Sequence, residues 1–124
     1  MIKLDHLTIF VSDVQRSCAW YMQHFGFTLE FEVPERKTVA LQDDSDLTLF
    51  LEERPDPPPA PSCILTFQVE DVEAKHRQLA AAGVPFVNAP QKLFWGYGAE
   101  LRDPDGYMIN VWDERSMREK GGSS

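Results

Sequence analysis

Apolar and polar positions alternate with a period of two along "LDHLTIFV". Leu7, Ile9 and Val11 fall on one side and His6, Thr8 and Phe10 on the other, the pattern of a half-buried strand. The period then lengthens. In "SDVQRSCAWYMQHFGF" the apolar positions Val14, Cys18, Tyr21 and Phe25 recur at helical spacing, Asp13 stands where an N-cap belongs and Gly26 where a helix stops. Three short strands are expected next, "TLEFEV", "TVALQD" and "LTLFLEE", separated by the turn-forming runs "PERK" and "DSD".

"RPDPPPAPS" follows, a proline-rich run that neither a helix nor a central strand tolerates. The same order then begins again. "CILTFQV" alternates as a strand, "EDVEAKHRQLAAAG" repeats the Asp cap and the glycine stop, and "VPFVNA", "GAELR" and "YMINVW" supply three more strands. Val11, Asp13 and Val14 recur as Val69, Asp71 and Val72 at one constant offset, and Gly26 recurs as Gly83 once a residue is removed from the second helix. The pattern predicts an α+β fold of two tandem βαβββ modules. Module one covers about residues 3–53, the connector 54–62 and module two about 63–114, within one domain over 1–114; a polar tail, 115–124, ends in a Gly/Ser run outside the ordered fold. At 124 residues the chain suffices for one domain with a core and falls short of two ordinary ones.

A helix-covered sheet face should be uniformly apolar, and Leu7, Ile9 and Val11, Leu47, Leu49 and Leu51, Leu65, Phe67 and Val69, and Ile109 with Val111 meet that demand. The opposite positions differ. They read His6, Thr8 and Phe10; Thr48, Phe50 and Glu52; Ile64, Thr66 and Gln68; Met108, Asn110 and Trp112. Hydrogen-bonding groups interleaved with large aromatics are the composition of a ligand pocket, although packing against a second sheet would use the same residues.

Charge narrows the partners. Twenty acidic against 12 basic residues give a net charge of −8, which repels nucleic-acid phosphates and anionic lipid and favours a neutral or cationic ligand. No stretch approaches the roughly 18 apolar residues of a membrane span, and "MIKLDHLTIF" lacks the parts of a signal peptide, so a cytoplasmic protein is expected. Cys18 and Cys63, without framework spacing around them, are expected to be two reduced, partly buried thiols.

The two modules, "DHLTIFVSDV" opening the first, "WGYG" before the penultimate strand and "DPDG" before the last together resemble the vicinal oxygen chelate superfamily, the glyoxalase, bleomycin-resistance and dioxygenase family, over about residues 3–114. The resemblance implies curled mixed sheets around a cleft, pairing into a homodimer, and in the metal-dependent members a divalent ion held from the first and last strands. Carried onto this chain, the first-strand ligand is His6, the second-module ligand is Ile64, the last-strand position is Asn110 where the enzymes carry Glu, and the fourth-strand position falls at Thr48 or Phe50. A transition ion needs roughly three nitrogen, sulfur or anionic oxygen donors, and this set supplies one imidazole and one neutral amide. No metal or other cofactor is therefore expected. A divalent metal is the alternative, if a shifted register turned Glu52 or Glu100 inward.

The expected function is metal-independent binding of a small, planar or cationic organic molecule, as in bleomycin-resistance-type sequestering proteins. The polar contacts would come from His6, Thr66, Gln68 and Asn110, and the walls from Phe50, Trp95, Tyr97 and Trp112. The aromatic run "QKLFWGYG" reads as a loop able to cover a cleft, stack on a planar ligand, attract a cation or make a dimer contact. His6 is the best catalytic candidate, either a hydrogen-bonded group at the cleft floor or a general acid or base; His24 and His76 fall in helices and read as structural or exposed. A metal-dependent lyase, isomerase or dioxygenase with an atypical ligand set is the alternative function, and a scaffold without ligand a third.

Overall fold

The computed structural model describes residues 1–56 and 63–122; positions 57–62 of the proline-rich connector and the last two of the Gly/Ser run lie outside the described residues. The elements are β1 (His6–Val11), α1 (Val14–Phe25), β2 (Thr28–Val33), a 3-10 turn (Pro34–Arg36), β3 (Thr38–Gln42), β4 (Thr48–Glu53), β5 (Ile64–Gln68), α2 (Val72–Ala81), β6 (Phe86–Leu93), β7 (Gly96–Arg102), β8 (Met108–Trp112) and α3 (Glu114–Lys120). The chain forms two compact units, Met1–Ala60 and Pro61–Ser124. Each holds a four-stranded mixed sheet, ordered β1-β4-β3-β2 in the first and β5-β8-β7-β6 in the second, with the first and last strand of each module parallel and the other pairs antiparallel.

In the first unit α1 lays Val14, Cys18 and Tyr21 against Ile9, Val11, Val39, Leu41, Leu49 and Leu51, all buried. In the second, Val72 and Leu79 of α2 are buried with Val84, Ala99, Leu101, Ile109 and Val111. Fully burying a leucine or isoleucine contributes about 1.5–3 kcal/mol. The apolar alternation thus selects one face of each sheet for its helix and leaves the other free for a site.

The two modules share their polar devices as well. Asp13 Oδ1 accepts the Arg16 N–H at 3.0 Å and Asp71 Oδ1 the Ala74 N–H at 3.0 Å. A carboxylate from the end of each module's last strand takes the first helical N–H: Val14 donates to Glu53 Oε1 at 3.0 Å and Val72 to Asp113 Oδ2 at 2.6 Å. Asp43 Oδ1 accepts the N–H groups of Ser45 and Leu47 ahead of β4, as Asp103 Oδ1 accepts those of Asp105 and Tyr107 ahead of β8. The turn in "DPDG" and the plainer "DDSD" are the same structure.

Three segments depart from the sequence expectation. The run "QKLFWGYG" is a tight hairpin and not a long loop, because β6 continues to Leu93 and β7 begins at Gly96. Pro90 does not stop β6: this is an edge strand, and its register slips between Asn88 and Gln91, where a missing N–H costs no ladder bond. The polar tail carries α3, capped by Asp113, whose side chain accepts the Ser116 N–H at 2.6 Å and the Ser116 hydroxyl at 3.0 Å. Both thiols are free, with Cys18 buried and Cys63 exposed.

Candidate functional site

The uncovered face of the second unit is set row by row by strand register. Thr66 pairs with Asn110, Asn110 with Glu100 and Glu100 with Asn88, so a wholly polar row crosses all four strands. On one side of it lies Gln68 beside Trp112, and on the other Ile64, Met108 and Arg102. Trp95, from the hairpin, extends this face: its far ring edge lies over Gly98 and its Nε1–H donates to Glu100 Oε2 at 3.3 Å. A Cβ at Gly98 would collide with the Val111 carbonyl and stand 2.5 Å from the indole, so the absence of a side chain there is what lets the ring lie on the strand.

At the centre of the polar row Asn110 is 9% exposed, and its Oδ1 is buried with no hydrogen-bond partner. Such an atom costs about 1–3 kcal/mol in desolvation without return. Evolution-free physics would replace it with an apolar side chain; a site that receives a donor would keep it.

The uncovered face of the first unit carries a cavity of about 280 Å³ lined by His6, Thr8, Val33, Arg36, Thr38, Phe50 and Glu52. His6 is half exposed, its Nδ1 is 3.1 Å from Asp5 Oδ2, and its ring meets Phe50 edge-on at 4.9 Å between centroids. Thr48 pairs with His6 and Phe50 with Thr8, so both fourth-strand candidates share this face. The Thr48 hydroxyl is given to Glu30 Oε2 at 3.0 Å, and Phe50 stacks edge-on to Phe31. Glu52 Oε2 accepts from Arg54 Nε at 2.8 Å, and that guanidinium lies 4.1 Å from the centre of the Phe10 ring.

Of the eight residues expected at the site, Thr66, Gln68, Trp95, Asn110 and Trp112 share the uncovered face of the second unit, and His6 and Phe50 that of the first. Tyr97 is the exception. It falls one residue out of phase with Gly98 and Glu100, so it turns to the helix side, where its hydroxyl donates to Glu73 Oε1 at 2.7 Å and Lys120 Nζ lies 5.0 Å above its ring. The hydrogen bond to Glu73, reinforced by burial, pushes the Tyr97 phenol up to about 12. Tyr97 ties β7 to α2 and α3 and is no wall of a pocket. Glu100, Asn88 and Arg36 join the site residues; the polar Glu100 between the buried Ala99 and Leu101 was a readable signal, whereas Arg36 comes from a 3-10 turn that alternation does not describe.

Glu52 and Glu100 occupy the uncovered faces in the observed register, with no shift needed. Each is already engaged, by Arg54 and by Trp95. The positions at which the resemblance implies metal ligands hold an imidazole, an alkyl chain, an amide and either an engaged hydroxyl or a phenyl ring, and this donor set does not fit a divalent transition ion. Among the described residues no three of His, Cys, Asp and Glu form a group able to hold a metal.

This architecture of two βαβββ modules, each with one sheet face not covered by its helix, defines a class, and the chain belongs to it: the Glyoxalase/Bleomycin resistance protein/Dioxygenase superfamily, whose sequence profile matches residues 3–111. Among solved structures the chain is similar to TnmS3, an antibiotic binding protein from Streptomyces sp. CB03234, at 25% identity and a TM-score of 0.76 over 91% of this chain and 96% of that one. It shares the fold of a glyoxylase/bleomycin resistance protein/dioxygenase domain from Frankia sp. EAN1pec, at 22% identity and a TM-score of 0.74 over 90% of this chain and 96% of that one. A lactoylglutathione lyase from Agrobacterium tumefaciens has it too, at 17% identity and a TM-score of 0.73 over 91% and 94%. No curated protein sequence matches the chain.

Proposed function

We propose that this protein binds a small, planar or cationic organic molecule on its uncovered sheet faces without a metal ion. The observation that carries this reading is the unpartnered Oδ1 of Asn110, an acceptor in a row with Thr66 and Glu100 and beside the indoles of Trp95 and Trp112. Apolar walls with a few placed polar groups suit a flat organic ligand, and the excess of acceptors together with a net charge of −8 suits a positive one. Thr66 and Gln68 would add polar contacts on that face, and on the face of the first unit His6 would offer a polar contact and Phe50 a wall. The likeness to an antibiotic binding protein supports the same reading. A metal-dependent lyase, isomerase or dioxygenase would need donors that Ile64 and Asn110 do not offer.

A thermal-shift screen of aromatic antibiotics, bleomycin included, and of planar aromatic cations tests the proposal. A ligand at a hundredfold excess over its Kd stabilises the protein by about 2.7 kcal/mol, and at least one member of the panel should reach that. A panel in which nothing stabilises the protein until a divalent ion is added would overturn it.

A further inference from the structure

We propose that Glu100 and Asn110 form a paired acceptor seat for a planar N–H-rich cation of the amidine or guanidine class, and that the indole of Trp95 stands in that seat until the ligand arrives. This rests on the binding function proposed above and names the ligand chemistry.

The two residues are direct cross-strand partners on β7 and β8. Side chains so placed spring from Cβ atoms about 4.5–5.5 Å apart, which lets two acceptor oxygens face the two parallel N–H groups of one planar fork. One acceptor, Asn110 Oδ1, is sealed without a donor. The other, Glu100 Oε2, has only a long bond to work with: 3.3 Å from the Trp95 indole, against about 2.7–2.9 Å for a charged donor on a carboxylate. A cation offering two N–H groups would satisfy both oxygens, where the indole offers one N–H to one of them.

The surroundings favour a cation from outside the chain. Arg102, two positions along the same face of β7, turns its Nη1 to the Gly106 carbonyl at 3.0 Å. Trp95 is held to this face by its one long hydrogen bond and by its contact with Gly98, while Gly96 after it is buried against the Met117 side chain, so the ligand asks for a turn of the Trp95 side chain alone and not of the hairpin backbone. The displaced ring would then stack on the flat face of the ligand it admits.

Benzamidine is the probe and neutral, isosteric benzamide its control. Calorimetry should give saturable binding with benzamidine preferred by about tenfold or more, the margin of a charge-assisted bond over a neutral one. Glu100→Gln should remove that preference, and Asn110→Leu should weaken the binding of both probes. The Trp95 indole N–H resonance, identified as the one lost in Trp95→Phe, should shift as benzamidine saturates the protein, a signal independent of any variant's stability. Equal affinities for the two probes, an unaltered preference in Glu100→Gln or an unmoved Trp95 resonance would each overturn the seat. If benzamidine fails to bind while a member of the antibiotic panel binds, the seat is wrong and the binding function stands; if nothing binds, both fall.

Discussion

A buried amide oxygen without a donor is a standing cost, and among the described residues Asn110 Oδ1 is such an atom. Replacing both its polar atoms by methyls of similar shape removes the cost, so Asn110→Leu should raise the unfolding free energy by about 1 kcal/mol in urea denaturation while weakening ligand binding. A variant that loses stability would instead mark Asn110 as a structural residue. Alternation in "YMIN" was enough to turn Asn110, with Thr66, Gln68 and Trp112, away from the helices. It misplaced Tyr97 because "WGYG" looked like loop, where phase has no meaning; once β7 begins at Gly96, the same rule sends Tyr97 to the helix side and Glu100 to the site. That Asn110 lacks a donor was beyond any pattern, since it depends on what surrounds the side chain in three dimensions.

Among the elements, the helix starts hold the modules together through carboxylates that arrive from their last strands. Burial alone would push Asp113 up, but the N–H groups of Val72 and Ser116 and the Ser116 hydroxyl outweigh it and hold the carboxyl below its ordinary range. The folded value is depressed, so its contribution is present above the ordinary carboxylate range and is lost as pH falls through the folded value. Asp113→Ala should lower stability by about 2–3 kcal/mol, since it removes the N-cap of α3 and the acceptor of the first N–H of α2, and should flatten the loss of stability below about pH 4 expected of the unaltered protein in acid titration. An unchanged acid profile would show that the cap contributes nothing. Helices α1 and α2 were legible from Asp caps, glycine stops and an apolar stripe. Helix α3 had the cap in "DERSMREK" and charge pairs at helical spacing, Arg115 with Glu119 and Arg118 with Glu114, yet lacked the stripe that separates a helix from a polar tail.

For the whole molecule, the repeat was the most legible feature, because each module obeys the same steric and hydrogen-bonding rules: one apolar face, an Asp-capped helix, an Asp-closed turn and a carboxylate returned to the helix start. No helix among the described residues is long and apolar enough to cross a membrane. We propose that the protein works as a homodimer, supported by apolar side chains that remain exposed on its sheets, Leu29 and Phe31 on β2 and Ile64 on β5 at 44, 45 and 60%. Light scattering on a size-exclusion column should give twice the chain's mass; the mass of one chain at micromolar concentration would refute it. The binding proposed above needs no ion. Calorimetric titration with the strongest ligand of the antibiotic panel, before and after EDTA treatment and with metal content measured by elemental analysis, should return the same affinity from metal-free protein. Binding that vanishes with the metal and returns when it is restored would contradict the account.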